Sequence, residues 1–470
     1  MSLTTHGRSV FLVILFSTAV GACQSPPDPR RTVSLVVTGG TVVTMDAQRR
    51  VLSPGAVAVD GREIVAVGAP AEIAGRFAAR ETIGAIGQVV LPGLVNTHTH
   101  APMVMYRGLA DDLRLMEWLE RYIFPAEAKT VSPQMVRVGT RLAALEMIQS
   151  GTTTFADMYY FEEEVAQAAK QAGLRGVLGE TIIGFPVADA KTPADGLRRA
   201  EAFLKRFRGD DLIVAAVAPH SMYTLDREYL AASRRLADQY GAPLLIHVAE
   251  TQDEIQTSEK RFRLTPFRYL DSIGFLGPRI VAAHCVWVTP EEIPLLQKHR
   301  IGVSHNPESN MKLASGTAPV PAMLAAGLTV GVGTDGAASN NDLDMFEAMR
   351  QAALLHKLES GDPTVVGAYT ALEMATIAAA KVLGLDRTIG SLEVGKRADL
   401  IVVGMRAARQ TPVYNPVSHL VYVTRGDDVQ TTIVNGRVLM RNRRVLSLNE
   451  GAVLAEARAL AARVTEAVRQ

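Results

Sequence analysis

Short apolar runs alternate with longer, alanine-rich amphipathic stretches through the middle of the chain. Apolar runs of about four to eight residues bounded by turn signals predict buried strands, and the stretches between them predict crossover helices. Such runs occur at residues 89–96, 152–157, 175–181, 212–218, 243–248, 280–284, 301–304 and 328–334. Parallel strands joined by helices in this way close into a barrel, so the pattern predicts an α/β protein with a (β/α)8 TIM barrel over residues 91–394.

Strand and turn signals of another kind flank the predicted barrel, at residues 33–90 and 395–445. Asp60-Gly61 and Asn435-Gly436 are dipeptides typical of two-residue hairpin turns. Each segment alone is too small to bury a stable core, so we expect the two to pair into one small composite β-sandwich. The last residues, 446–470, predict a C-terminal surface helix.

The first 23 residues follow a different pattern. Arg8 precedes an apolar run at residues 10–20 that ends in small residues before Cys23, and the run is too short for an ordinary membrane-spanning helix. The pattern resembles a bacterial lipoprotein signal, which predicts a signal peptide at 1–23, a lipid on Cys23 and a tether at 24–32. We therefore expect an exported protein that is lipid-anchored in the cell envelope, in the periplasm. An ordinary secretory signal and a misplaced start are the alternatives.

The overall composition is that of an ordinary globular protein, with 48% hydrophobic and 21% charged residues. Lys and Arg number 49 and Asp and Glu 48, so the chain has no net field that would recruit nucleic acid or an anionic membrane. We expect a small-molecule ligand, no nucleic acid, and contact with a membrane only through a lipid at Cys23. Assembly into a homo-oligomer is compatible with the sequence. The other cysteine of the sequence, Cys285, leaves no disulfide framework.

Nearly every predicted barrel strand ends in a histidine or a carboxylate. Along the chain these residues are His98, His100, His220, His247, His284, His305 and Asp335. Barrel active sites are built at the C-terminal ends of the strands. Because six of the 10 histidines fall at these ends, the pattern predicts an active site there and not a scatter of core histidines.

His98 and His100 stand two residues apart on one predicted strand, so both imidazoles point to the same side. A third imidazole from His247 and the carboxylate of Asp335 complete a set of nitrogen and oxygen donors. Such a set suits one divalent metal, Zn²⁺ first and Fe²⁺ or Mn²⁺ as alternatives, with one position open for water.

The motifs around these residues are similar to those of the amidohydrolase superfamily. They are His98-Thr99-His100, His247-Val248-Ala249-Glu250, Ala283-His284-Cys285 and Gly333-Thr334-Asp335-Gly336. The longer segments 97–103, 304–310 and 334–343 resemble the methylthioadenosine/S-adenosylhomocysteine deaminase group. The resemblance covers residues 33–445, and it implies a mononuclear metal held by His98, His100, His247 and Asp335.

The resemblance also bears on the number of metal ions. Binuclear relatives commonly bridge two ions with a lysine from an inner strand, and residues 212–220 contain no lysine. We therefore expect one ion. Glu180, at the end of the third run, is the alternative bridge for a second one.

Removing an amino group from an adenine-type ring requires a nucleophile, a proton for the ring nitrogen and a route for ammonia. A divalent metal supplies the nucleophile by lowering the pKa of water towards about 7. Asp335 stands beside that water as a proton acceptor, and His284 would orient the attacking group. The resemblance implies that Glu250 donates the proton to the ring nitrogen. The expected activity is metal-dependent hydrolytic deamination of 5′-methylthioadenosine, adenosine or S-adenosylhomocysteine.

The substrate contacts come mainly from the resemblance. Glu127 and His220 match positions that hold the ribose hydroxyls and the neighbouring ring, and Glu250 and Asp335 complete the predicted contacts. His305 is expected to shape the pocket floor or to be structural. Asn306, Ser309 and Asn310 are expected either to touch ligand or to cap the segment that follows them.

Glu180 suggests a substrate preference. Relatives that accept S-adenosylhomocysteine tend to carry an arginine near this position, where a cation pairs with the amino acid carboxylate. An acid there would repel that carboxylate, so methylthioadenosine or adenosine is expected to be preferred. The ammonium of the substrate, and Arg198 or Arg199 further along the chain, are elements that would offset this repulsion.

Two other interpretations use the same residues. A guanine-type deaminase, a triazine chlorohydrolase or an amide hydrolase would share the metal site and differ in the leaving group. A lipid-tethered protein that captures nucleosides without turnover is the non-enzymatic alternative. The ligand set together with Glu250 argues against it, because binding alone needs no activated water.

Overall fold

The computed structural model describes residues 1–3 and 30–469. The predicted signal run and the lipidation site at Cys23 lie outside these residues. A search of the described helices finds none with the length and apolar character needed to cross a membrane.

The described N-terminal part of the chain forms a group of strands around one long central strand. The strands are β1 Arg31–Val43, β2 Val51–Asp60, β3 Glu63–Gly68, β4 Phe77–Gly84 and β5 Gln88–Pro92. β1 pairs antiparallel with β2 and parallel with β4 and β5, and β2 pairs antiparallel with β3. The turn between β2 and β3 uses Gly61 at φ 58°, as the dipeptide Asp60-Gly61 predicts.

The predicted barrel is confirmed in the described chain. Its strands are β6 Leu94–Thr99, β7 Thr152–Tyr159, β8 Arg175–Ile182, β9 Ile213–Pro219, β10 Leu244–Val248, β11 Ile280–His284, β12 Gly302–His305 and β13 Thr329–Val332. They lie in chain order, and each pairs parallel with the next. The carboxyl ends of all the barrel strands therefore meet at one face.

The first predicted run, residues 89–96, serves two sheets. Gly93 separates β5 from β6, and its N–H donates to the carbonyl of Asp399 at 3.0 Å. A Cβ at Gly93 would lie 2.1 Å from Oγ1 of Thr153, so a side chain cannot be accommodated at this junction. The strand that carries His98 thus follows directly from a strand of the other sheet.

The first and last barrel strands are joined by side chains. The Asn96 amide donates from Nδ2 to Oγ1 of Thr334 at 2.7 Å, and its Oδ1 accepts the Thr334 N–H at 3.1 Å. The Asp335 N–H donates to the carbonyl of His98 at 2.9 Å. These bonds hold the residues after β13 against β6 at the end of the barrel where the metal site is expected.

Helices surround the barrel, except that the first helix of the described chain packs on strands β1–β4. In chain order they are α1 Pro70–Arg76, α2 Leu115–Trp118, α3 Phe124–Thr130, α4 Pro133–Ser150, α5 Glu162–Ala172, α6 Pro193–Arg206, α7 Arg227–Tyr240, α8 Gln252–Phe262, α9 Pro266–Ser272, α10 Ile293–Lys298, α11 Pro307–Lys312, α12 Val320–Ala325, α13 Met345–Ser360, α14 Ala368–Met374, α15 Ile377–Val382, α16 Pro416–Tyr422 and α17 Glu450–Arg469. Short 3-10 turns occupy Ala101–Tyr106, Ala408–Gln410 and Gly426–Asp428. α4 shows how sequence sets these bounds: Ser132 accepts the Met135 N–H, Pro133 follows, and Gly151 at φ 89° ends the helix.

The C-terminal part of the chain completes the N-terminal sheet. β14 Leu400–Gly404, β15 Val429–Val434, β16 Arg437–Arg441 and β17 Arg444–Val445 follow the barrel. β14 pairs antiparallel with β5, which joins both ends of the described chain in one continuous sheet, the composite sheet. The predicted β domain from the two ends is confirmed, with Asn435-Gly436 at the turn between β15 and β16.

A buried ion pair ties the composite sheet to the barrel. Arg175 at the start of β8 donates from Nε and Nη2 to the Asp399 carboxylate at 2.9 and 3.3 Å, and the two side chains are 4% and 2% exposed. We expect Asp399→Ala to lower the free energy of unfolding by about 3–5 kcal/mol, because Arg175 keeps a buried charge without its partner. Urea titration measures this.

The matched control for that variant is Glu117→Ala. Glu117 forms a solvent-exposed pair with Arg121 at 3.0 Å, with side chains 42% and 73% exposed. Its loss should change the free energy of unfolding by less than about 1 kcal/mol. Equal effects of the two substitutions would show that the buried pair does not join the sheet to the barrel.

Candidate active site

Two histidines of β6 and the carboxylate after β13 converge at the carboxyl end of the barrel. Nε2 of His98 and Nε2 of His100 each lie 3.4 Å from Oδ1 of Asp335. His247, at the end of β10, places its Nε2 3.3 Å from Nε2 of His100. The structure therefore brings together the four residues that the sequence proposes as metal ligands.

Backbone carbonyls fix which ring nitrogens face the centre. Nδ1 of His100 lies 2.6 Å from the carbonyl of Met158, and Nδ1 of His247 lies 2.9 Å from the carbonyl of His220. A carbonyl only accepts, so each Nδ1 donates, and in the neutral ring Nε2 presents a lone pair. Two facing lone pairs 3.3 Å apart are the arrangement that a cation between them stabilises.

Burial adds to the fit with a divalent metal. Nε2 of His98 is buried and has no hydrogen-bond partner among the described residues. Burial lowers the pKa of His98 to about 4 and that of His247 well below its ordinary value, so both are neutral imidazoles near pH 7. His98, His100 and Asp335 form one group of converging ligand atoms, and His98, His247 and His284 form another. Neutral imidazoles and one carboxylate suit a divalent transition metal.

Two acidic side chains stand on either side of His284 Nε2. Oε2 of Glu250 lies 3.7 Å from it, and Oδ2 of Asp335 lies 3.9 Å from it. Glu250 is 5% exposed and follows Ala249, which has φ 54°. The Glu250 N–H donates to Oε2 of Glu254 at 2.8 Å, which holds this left-handed exit from β10.

The protein surroundings shift the pKa values of Glu250 and Asp335 in opposite directions. Burial raises the pKa of Glu250 above its ordinary value. Burial alone would also raise the pKa of Asp335, but the imidazole of His98, 3.4 Å from its Oδ1, and then those of His284 and His100 hold it well below its ordinary value. One group therefore tends to keep a proton and the other to be ionised, which is the pattern of an acid and base pair.

The orientation of His284 depends on a residue whose contact with it the sequence does not predict. Nδ1 of His284 lies 2.9 Å from Oδ1 of Asn310, on α11. Asn306 makes no side-chain capping bond to α11, and its Nδ2 lies 3.4 Å from the same His284 nitrogen. Both residues belong to the 304–310 motif, but nothing in its spacing shows that it reaches β11.

Glu127 and His220 lie in the same pocket as the converging histidines. Oε1 of Glu127 accepts a hydrogen bond from the Tyr159 hydroxyl at 2.6 Å, and burial raises the pKa of Glu127 to about 7. Burial lowers the pKa of His220 to about 3. The pocket thus has an acid that titrates near neutrality and a neutral imidazole beside the metal site.

One helical segment closes the apolar side of the pocket. Residues 115–130, here called the wall segment, comprise α2, a π-helical turn at Leu119–Ile123 and α3. Its pocket-facing residues are Leu115, Trp118, Leu119, Ile123, Phe124 and Glu127. Apolar walls with a few convergent polar groups are typical of small-molecule sites.

Glu180 does not take part in this site, contrary to the argument from its strand position. Its carboxylate accepts from Nε of Arg199 at 2.7 Å and from the Glu162 N–H at 3.1 Å, while its neighbour Thr181 faces the pocket. Side chains alternate along β8, so Thr181 and Glu180 point to opposite sides. Glu180 is thus neither a metal bridge nor a contact for the substrate, and the preference argued from it has no basis.

Arg198 and His305 also lie outside the pocket lining. Arg198 forms an ion pair with Asp195 on the exposed face of α6. His305 is buried beneath the site, with its Nε2 3.0 Å from Nε2 of His356 on α13. It does not form the pocket floor.

Comparison with known proteins agrees with this geometry. Residues 89–439 match the family model described as Amidohydrolase family. A 5-methylthioadenosine/S-adenosylhomocysteine deaminase from Syntrophobacter fumaroxidans is 48% identical, over 91% of this chain and 97% of its own length. A 5′-deoxyadenosine deaminase from Methanosarcina acetivorans is 45% identical, over 91% and 97%. The crystal structure of an adenosine deaminase from Xanthomonas campestris with bound zinc is 38% identical, with a TM-score of 0.92 over 93% of this chain and 100% of that one.

The chain belongs to the amidohydrolase family. It is a metal-dependent hydrolase that acts on carbon–nitrogen bonds, a deaminase, as its relatives are.

The relatives correct the predicted localisation. The prediction of an exported protein held in the cell envelope at Cys23 is wrong, because proteins that match over 97% of their own length are named as deaminases of small metabolites and not as envelope proteins. A short apolar run before a cysteine is a weak signal, since few positions define it. The pattern at residues 10–23 alone does not specify export.

Proposed function

We propose that the chain deaminates the adenine ring of a nucleoside, with Zn²⁺ as its metal. The observation that carries the proposal is the placement of Glu250 and Asp335 at 3.7 and 3.9 Å on either side of His284 Nε2, next to the converging histidines. The names of the relatives, which refer to adenine nucleosides, and the zinc in the neighbouring structure support it.

His98, His100, His247 and Asp335 would hold the metal. Bound there, a divalent ion supplies Lewis acidity and a water nucleophile that is available at neutral pH. Zn²⁺ suits three imidazoles and one carboxylate, since it binds nitrogen and oxygen donors and leaves a position open in catalytic sites.

The chain's own residues move the protons. Glu250, whose pKa burial raises above its ordinary value, donates a proton to the adenine ring nitrogen next to the amino-bearing carbon. Asp335, kept ionised by its histidine neighbours, accepts a proton from the attacking water. His284 orients that water through Nε2, because Asn310 holds its Nδ1. The carbon–oxygen bond forms, the carbon–nitrogen bond breaks, and ammonia leaves with the proton that Asp335 received. The remaining hydroxyl proton passes to Glu250 as the carbonyl forms, which restores the acid.

Glu127 and His220 would hold the sugar. An ionised Glu127 accepts hydrogen bonds from the two ribose hydroxyls, while Tyr159 occupies its Oε1 from the other side. Hydrogen bonds to a charged acceptor contribute about 1.5–3 kcal/mol each. His220 is neutral, so it contributes a hydrogen bond and no charge.

Glu127→Gln should raise KM for the nucleoside about tenfold or more, because the amide accepts the ribose hydroxyls without a charge. In the wild type, KM should rise as the pH falls below about 7, since the Glu127 carboxyl, with its pKa raised to about 7, then takes up a proton. Steady-state kinetics in steps of about half a pH unit, from about pH 5.5 to about pH 8.5, measure both effects.

The same substitution should stabilise the fold. Folding raises the pKa of the Glu127 carboxyl from 4.5 to about 7, so the folded protein loses stability as the pH increases through that interval. Glutamine cannot ionise, so Glu127→Gln should raise the free energy of unfolding by up to about 3 kcal/mol at pH 8. Glu120→Gln, on the exposed face of the wall segment, is the control. It should change neither KM nor the free energy of unfolding. A Glu127→Gln protein with an unaltered KM would remove Glu127 from the sugar contact.

The direct test is ammonia release from adenosine, 5′-deoxyadenosine, methylthioadenosine, guanine and a chlorotriazine, with zinc-loaded protein. Adenine nucleosides should be converted to inosine derivatives with the accompanying change in ultraviolet absorbance. Faster release of ammonia from guanine, or of chloride from the triazine, would overturn the assignment of the adenine ring.

A further inference from the structure

The pocket has no cationic side chain of lysine or arginine among the described residues that line it. One side is an apolar surface made by Leu115, Trp118, Leu119, Ile123 and Phe124 of the wall segment together with Leu313. The acidic groups that face the cavity are the carboxyls of Glu127, Glu250 and Asp335. An anionic end of a ligand would therefore meet apolar surface and acids.

Two cations next to residues of this lining are paired with acidic side chains. Lys312, beside Leu313, donates to the carboxylate of Asp111 and to Oδ1 of Asn341. Arg199, near Thr181, is held by Glu163 at 2.9 Å and by Glu180 at 2.7 Å. Drawing either cation towards a ligand would leave its acidic partners without a counter-charge.

Arg114 stands apart from these pairs. It precedes Leu115 at the start of the wall segment, its side chain is exposed to solvent, and it is not part of the pocket lining. Arg114 is therefore replaced in the second experiment below, to test whether its guanidinium reaches a ligand carboxylate.

We propose that this pocket selects adenine nucleosides whose 5′ substituent is small and uncharged, such as hydrogen or methylthio, and discriminates against a 5′ substituent that ends in a carboxylate. The inference rests on the proposed nucleoside deaminase function. A carboxylate that enters the pocket loses its water and gains no cation, and the acids of the pocket repel it. A methylthio group loses little on leaving water and packs on the leucines and aromatic rings.

The first experiment varies the substrate and leaves the protein unchanged. kcat/KM is measured for methylthioadenosine, 5′-deoxyadenosine, S-adenosylhomocysteine and an uncharged 5′-alkylthio analogue of the same length as S-adenosylhomocysteine. We expect S-adenosylhomocysteine to be poorer than methylthioadenosine by at least about tenfold, and the uncharged analogue to recover most of that loss. Equal use of S-adenosylhomocysteine overturns the inference. So does an analogue as poor as S-adenosylhomocysteine, because size and not charge would then decide.

The second experiment changes the charge of the wall. Leu119→Arg should raise the ratio of kcat/KM for S-adenosylhomocysteine to that for methylthioadenosine, and Leu119→Met, which keeps volume without charge, should leave the ratio as it is. Arg114→Gln should also leave it unchanged. A fall in the ratio caused by Arg114→Gln would identify Arg114 as a partner of the carboxylate and overturn the inference. If no adenine nucleoside is deaminated, the proposed function fails, and this outcome is distinct from a ratio near one.

Discussion

Replacing His247 with alanine should remove the metal and the deaminase activity together. Its Nε2 faces Nε2 of His100 at 3.3 Å, and its Nδ1 is held by the carbonyl of His220 at 2.9 Å, so no other group takes its place at the centre. Loss of one of four ligands leaves a site that cannot retain a divalent ion through purification. Metal content per chain and kcat measure the two losses, and kcat should fall to background.

The control for that variant is a histidine away from the barrel end. His299 pairs with Asp271 at 2.9 Å on the outside of the barrel, and His299→Ala should keep both metal and activity. A His247→Ala protein that retains a full complement of metal would show that His247 is not a ligand, whatever its activity.

Glu250→Gln should keep the metal and lose turnover, by about 10²- to 10⁴-fold in kcat. The amide has nearly the shape of the carboxyl and can retain its place beside His284, but it cannot deliver a proton to the ring nitrogen. KM should change little, since the sugar contacts that we propose for Glu127 and His220 are left in place. Metal analysis and steady-state kinetics on one preparation separate the two effects.

Glu259→Gln is the matched control for Glu250→Gln, because Glu259 lies exposed on α8 in the same connection between β10 and β11. It should behave as the wild type. Near-normal turnover in Glu250→Gln would assign the acid to another residue of the pocket.

The barrel and the cluster at its carboxyl end could be predicted because both follow from local patterns. Buried strands appear as short apolar runs, and the alternation along β6 places His98 and His100 on one side. Parallel strands bring their carboxyl ends to one face, so His247 and Asp335 come together although 88 residues separate them in the sequence.

Other features could not be predicted because they depend on side-chain direction or on packing between distant segments. Glu180 lies near the carboxyl end of β8, as the site residues lie near the ends of their strands. Its side chain points to the opposite side of the strand from that of Thr181, away from the pocket and towards Arg199. The contact between Asn310 and His284 joins α11 to the end of β11, two elements that are not adjacent in the sequence. The wall segment has apolar residues that the sequence does not distinguish from those of an ordinary core helix.

The pairing of β5 with β14 has a consequence for how the protein is made. The ribosome produces β5 more than 300 residues before β14, and until β14 emerges one hydrogen-bonding edge of β5 has no partner. An apolar strand with an open edge is a template for pairing with other chains. Only Gly93 separates β5 from β6, the strand that carries His98, so the first strand of the newly made barrel lies next to this unpaired edge until β14 is synthesised. We expect nascent chains stalled before residue 400 to aggregate or to be held by chaperones, even though every barrel strand is already present.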